Sequence, residues 1–106
     1  MLSLTFRGML LNLMTLRFEW DRSKAGRSAV KHGMTFEKAA TVFRDPLAIF
    51  ADETHSGEEL RETIIGYSAQ NRLLIVSFAE RSDVIRIISA RKADADERTS
   101  HEAARR

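Results

Sequence analysis

Three short stretches of the chain carry residue types suited to acid–base or anion-binding chemistry. Lys31-His32-Gly33 stands where a helix is expected to end, and the helix dipole there favours a protonated imidazole. A cationic His32 beside Lys31 can donate a proton or hold an anion; the alternative is a solvated histidine that only satisfies the last carbonyls. Glu59-Leu60-Arg61 opens an expected strand, where residues two apart share a face and lie roughly 7 Å from one another. A carboxylate and a guanidinium so placed serve proton transfer and phosphate holding, or else form a surface ion pair worth under ~1 kcal/mol. The third stretch is Val84-Ile85-Arg86-Ile87-Ile88-Ser89-Ala90-Arg91. Its β-branched residues mark a central strand, so Arg86 in its middle must pair with a carboxylate, point to an open face or line a site. Regular alternation sets Arg86 and Arg91 on opposite faces, and a bulge near Ser89 would change that. Arginine forks suit phosphodiesters because their planar donors bind two oxygens at once.

Other polar residues give weaker signals. Asp52, Glu53, His55 and Glu58 are metal-ligand types, but their spacing matches no metal motif and reads as a solvated loop. His101 reads as an exposed helical residue. Phe18 and Trp20 belong to an alternating apolar pattern, which makes them core residues rather than a base-stacking platform. The chain has no Gly-rich phosphate loop, nucleophile elbow or dinucleotide fingerprint. Covalent-intermediate catalysis therefore has little support.

The elements that must position these residues follow from periodicity. Leu16, Phe18 and Trp20 alternate with Arg17 and Glu19 as a strand, and Asp21 caps a helix from about Arg22 to His32 that Gly33 ends. Thr35 caps a second helix whose Phe36, Ala39, Ala40 and Phe43 form one apolar face, stopped by Asp45-Pro46. Extended segments follow at Leu47–Phe50, Leu60–Tyr67, Arg72–Ala79 and Val84–Ala90, with Asp52–Glu58 read as the loop between the first two. Connections this short imply antiparallel neighbours. Asp94, Asp96 and Glu97 open a last helix whose mostly alanine face predicts weak docking. The fold class is α+β: a small single domain with an antiparallel sheet, two N-terminal helices and one C-terminal helix.

With 106 residues, 17 Lys+Arg against 15 Asp+Glu, and 43% hydrophobic residues, there is one ordinary core and no room for a second. The absence of Cys excludes a disulfide scaffold and suits a reducing compartment, making the cytoplasm the expected location. A net charge of +2 permits nucleic-acid binding without demanding it. No run approaches the ~18 apolar residues of a membrane span. Residues 1–15 read as an extension, with translation expected from Met14, and residues 16–106 as the domain.

FEWDRSKAGRSAVKHGMTFEKAATVFRDPLAIF, ELRETIIG, LLIVSFAE and IRIISARKADADER, in this order, closely resemble the BrnT family of type II toxin–antitoxin ribonuclease toxins. The combination of KHG, FRDP and RIISARKA is the specific part. Departures fall at Ser28, Met34 and near His101, and none removes a candidate catalytic group. The resemblance implies a RelE-like fold, RNA cleavage that inhibits translation, and a cognate BrnA-like antitoxin of ribbon-helix-helix type, in a 2:2 complex that meets operator DNA only through the antitoxin. Lys31, His32 and Gly33 match the family's KHG, Glu59 and Arg61 its charged strand start, and Arg86, Ser89, Arg91 and Lys92 its last strand. RNA supplies its own nucleophile, the 2′-OH, so the expected endoribonuclease needs a base, cations for the phosphorane and an acid. Glu59 is the expected base or orienting carboxylate, Arg61, Arg86 and Arg91 the phosphate stabilisers, His32 or a cation beside it the acid, and Lys31, Ser89 and Lys92 the RNA-binding residues, with no metal and no cofactor. A second reading is an inactive toxin-fold protein acting as an antitoxin-binding corepressor. A third, a nucleic-acid-binding module without antitoxin, is disfavoured by the lack of interleaved surface aromatics.

Overall fold

The computed structural model describes residues 16–104, apart from the side chains of His32, Asp52 and Ser56; the expectations about residues 1–15 lie outside it. β1 (Arg17–Trp20) leads into α1 (Arg22–His32), α2 (Phe36–Ala40) and a 3-10 turn (Thr41–Arg44). Four strands follow, β2 (Ile49–Ser56), β3 (Glu59–Tyr67), β4 (Leu73–Arg81) and β5 (Val84–Lys92), and α3 (Ala95–Ala104) ends the domain. The helix ends fall where the side chains dictate. The Asp21 carboxylate accepts from the Lys24 N–H at 3.0 Å and Gly33, at φ 62°, closes α1; the Thr35 hydroxyl accepts from the Lys38 N–H at 3.2 Å.

The α+β expectation holds, with one change of direction. β2 to β5 form an antiparallel meander, but β1 lies parallel to β5, so the sheet order is β1-β5-β4-β3-β2 and the sheet is mixed. Three hairpins leave β5 antiparallel to β2, and the two-helix connection lets β1 lie beside β5 in the same direction, which short connections alone do not reveal. The expected loop at Asp52–Glu58 is strand as far as Ser56, with a register shift between Ala51 and Glu53, and Gly57 at φ 65° makes the tight turn into β3. Cross-strand pairing with β3 outweighs the polar composition of this segment.

One face of the sheet carries the core. Ile64, Val76, Phe78, Ile85 and Ile87 pack against Phe36, Ala39, Val42 and Phe43, all 3% exposed or less. Phe43 meets Phe78 edge to face at a centroid distance of 5.0 Å and Phe18 at 5.3 Å. Gly66 makes room for the approach of the helical layer: a Cβ there would stand 2.9 Å from the Ala48 Cβ and 3.0 Å from the Val42 Cγ1. Asp45 locks the same junction, accepting from the Tyr67 N–H at 2.8 Å and the Leu47 N–H at 3.0 Å.

The opposite face is only partly covered. Its residues include Ile49, Ile65, Tyr67 and Arg91, and α3 lies over this end. The Tyr67 hydroxyl donates to Glu102 at 3.0 Å, and Arg91 forks onto Glu97 at 2.8 and 2.9 Å. Asp94 and Glu97 exchange reciprocal bonds with each other's N–H groups, which caps the helix. His101 is 5% exposed, its ring set edge-on to Tyr67, so the expectation of an exposed histidine is corrected. The alanine-rich face of α3 carried no sign of this docking, because the helix is held by fixed polar bonds rather than by apolar area.

Two outcomes follow. Gly66→Ala, whose Cβ would stand 2.9 Å from the Ala48 Cβ and 3.0 Å from the Val42 Cγ1, is expected to lower stability by about 1–3 kcal/mol in chemical denaturation. The Arg91 hydrogen bonds hold the Glu97 carboxyl down to about 2 from its ordinary 4.5. A depressed acid contributes stability that is complete above its unfolded value and is lost as pH falls. Thermal midpoints of the parent should therefore fall between pH 4.5 and about 2 more steeply than those of Glu97→Gln.

Candidate active site on the open face of the sheet

Beyond the reach of α3, the open face is polar, and the register arranges it in rows. Thr63 pairs with Ser77 and Ser77 with Ser89, giving three hydroxyls across β3, β4 and β5. In the next row Glu19 pairs with Arg86 and Arg86 with Ala79. Arg61, one residue before Glu62 whose partner is Phe78, stands level with Ala79 on the other side. Two strand spacings then separate the Cα atoms of Arg61 and Arg86, roughly 10 Å. The last row sets Glu59 level with Arg81, which pairs with Val84 and, through it, Arg17.

Glu59 sits between two guanidiniums. It accepts from the Arg81 Nε at 2.9 Å and lies 2.7 Å from its Nη2, while the Arg61 Nε stands 3.9 Å from its other oxygen. That last distance is too long for a hydrogen bond. The Arg61 Nε is buried and has no hydrogen-bond partner among the described atoms. A buried charged donor without an acceptor is costly. Arg86 is 3.5 Å from Glu19 through Nη1, a loose pair on a side chain that is largely covered. Behind this face, Glu62 is buried on the core side, and burial followed by the nearby Glu80 pushes its carboxyl above the usual range.

The structure thus brings together Glu59, Arg61 and Arg86, and it adds Arg81, Thr63 and Ser77, which sequence reasoning missed. Arg81 carries no local signal; it reaches Glu59 only through the β3–β4 register. Ser89 joins the hydroxyl row. The bulge proposed near Ser89 is real: Ser77 pairs with Ser89 and Phe78 with Ile87, leaving Ile88 as the extra residue. It turns Arg91 to the same face as Arg86, but Glu97 holds both ends of its fork. Lys92 pairs with Leu74 on the core-side parity and lines a cavity of about 670 Å³ with Arg72, Arg98 and Tyr67 at the end of the sheet. Lys31 and His32 belong to α1 in the helical layer, so the sheet does not bring them to this face. Lys31 lines a groove against Ile88–Ala90; the side chain of His32 is not among those described. Among the described residues no cluster of three or more His, Cys, Asp or Glu can hold a metal ion, and no helix is long and apolar enough to cross a membrane.

Chemically, the face offers a carboxylate between cations, two arginines flanking a fully buried alanine, and a row of hydroxyls. This is an anion-binding surface with a proton acceptor at its rim. A family model described as the ribonuclease toxin BrnT of type II toxin–antitoxin systems matches residues 20–97. The crystal structure of the ribonuclease toxin BrnT of Brucella abortus is similar in fold, with a TM-score of 0.56 at 23% identity, covering 76% of this chain and 99% of that one. No curated protein sequence matches.

Proposed function

The chain belongs to the BrnT family of ribonuclease toxins of type II toxin–antitoxin systems, and from that premise we propose that its arginine face cleaves RNA. The observation that carries the reading is the buried Arg61 Nε, a charged donor that lacks an acceptor beside a carboxylate already flanked by cations. In the proposed reaction Glu59 takes the 2′-OH proton and the 2′-oxygen attacks the adjacent phosphorus. The bond to the 5′-oxygen breaks, leaving a 2′,3′-cyclic phosphate and a 5′-hydroxyl that takes a proton from water, whose hydroxide is neutralised by the proton held on Glu59. Arg61 and Arg86 hold the non-bridging oxygens as charge grows on them, and Arg81 keeps Glu59 aimed. Thr63, Ser77 and Ser89 offer hydrogen bonds to the flanking ribose and phosphate.

His32 was the expected acid and Lys31 and Lys92 expected RNA ligands. None of these belongs to the rows of this face, so the proposed chemistry proceeds without them. Arg91 acts at one remove by fixing α3 along the border of the face. Cleavage in the cytoplasm would inhibit translation, and a cognate antitoxin of BrnA type, with a ribbon-helix-helix DNA-binding part, would hold the toxin inactive in a 2:2 complex.

Expression of the chain without its partner is expected to arrest growth with loss of total RNA integrity. Arg61→Ala and Arg86→Ala should each lower the cleavage rate on the order of 10²- to 10³-fold while circular dichroism remains that of the parent. Folded variants that cleave RNA and arrest growth like the parent would contradict this site. A folded parent without either effect would favour the corepressor reading instead.

A further inference from the structure

The two edges of the sheet differ. β2 forms one edge along its whole length and carries acidic residues there, which repel an acidic strand. At the other edge β1 pairs with β5 only over Val84–Ile87. From Ile88 to Lys92, among the described residues, no strand pairs with this side of β5. A groove of about 410 Å³ runs along that free edge, with Ile88, Ser89 and Ala90 as one wall, Phe36 at its base and α1 as the other wall. Lys24, Arg27 and Lys31 all line it, spaced three and four residues apart and so on one side of the helix. None of these three cations forms a salt bridge among the described residues. Ser28 also lines the groove, and its hydroxyl reaches the Ala90 carbonyl at only 3.4 Å, a weak bond at a position where a neighbouring strand would supply an N–H.

We propose that this groove binds an extended acidic segment of a partner polypeptide, which pairs with Ile88–Lys92 as an added strand and sets its carboxylates against Lys24, Arg27 and Lys31. Cations alone would suit a nucleic-acid backbone equally well. The free strand edge and the partly exposed side chain of Ile88 favour a peptide, whose main chain can complete the ladder and whose alternate side chains can enter the groove. Ser89 belongs both to this groove and to the hydroxyl row of the arginine face, so a bound strand would lie at the border of the candidate active site. That the partner is the antitoxin rests on the proposed function; the binding chemistry of the groove does not.

The test is a fluorescence titration of the full chain with a labelled peptide of alternating Glu and Val, beside a titration with a 2′-O-methyl RNA oligonucleotide. The peptide is expected to bind and to slow hydrogen exchange at those amides of residues 88–92 that point away from β4. The double variant Lys24→Glu, Arg27→Glu should bind it about tenfold more weakly or worse, and Lys24→Gln, Arg27→Gln should fall between. RNA cleavage should be unchanged in both variants, since neither residue lies on the arginine face. Absence of peptide binding, equal binding by parent and variants, or a loss of RNA binding without loss of peptide binding would overturn the proposal. An inactive arginine face would leave these readouts unaffected, so the two readings fail separately.

Discussion

Burial of one sheet face against Phe36, Val42 and Phe43 is the constraint on which the other features depend. Once Ile64, Val76, Phe78, Ile85 and Ile87 are turned toward that aromatic layer, strand alternation sends their neighbours to the opposite face. Among the described residues one short helix is left to cover that side, and α3 lies over the end that carries Ile49, Ile65 and Tyr67, leaving the remainder of the face polar. The residues there are arginines, glutamates, serines and threonine, which form half-exposed ion pairs worth under ~1 kcal/mol each. So polar a surface contributes little to folding, and binding is the more economical account of its composition.

The five arginines of this face and its rim are not equivalent. Arg91 is a structural clamp, its fork filled by Glu97 and its position fixed at the first turn of α3. Arg81 is committed to Glu59, and Arg17 to Asp83 at 2.6 Å near the rim. Arg86 holds Glu19 loosely, and Arg61 reaches no acceptor through its buried Nε. This gradient, from saturated to unsatisfied, orders them by their readiness to take a phosphate oxygen. Side chain type alone would have treated all of them alike.

Much of the fold was legible in the sequence because its signals are local. Asp21, Gly33 and Thr35 act on backbone groups within a few residues, and Phe36, Ala39 and Phe43 declare their helix face by spacing alone. Glu59 and Arg61 were legible as a pair for the same reason. What sequence could not carry was register. The parallel return of β1, the strand character of Asp52–Ser56 and the approach of Arg81 to Glu59 all depend on which residues stand opposite one another. The extra residue at Ile88 was foreseen as a possibility, and its consequence, Arg86 and Arg91 on one face, needed the observed pairing. The backbone of His32 lies at the end of α1 in the helical layer, a placement relative to the start of β3 that sequence spacing does not carry.

The claim at the centre of this account is that RNA meets the protein on the β3–β4–β5 face between Thr63, Arg61 and Arg86. The most direct measurement is NMR chemical-shift mapping of the full chain with a non-cleavable 2′-O-methyl RNA oligonucleotide, including the arginine Nε resonances. The account predicts the largest changes at the Arg61 Nε and Arg86 and along Thr63, Ser77 and Ser89. Changes confined to α1 and the end of the chain, with the Arg61 Nε unmoved, would contradict it.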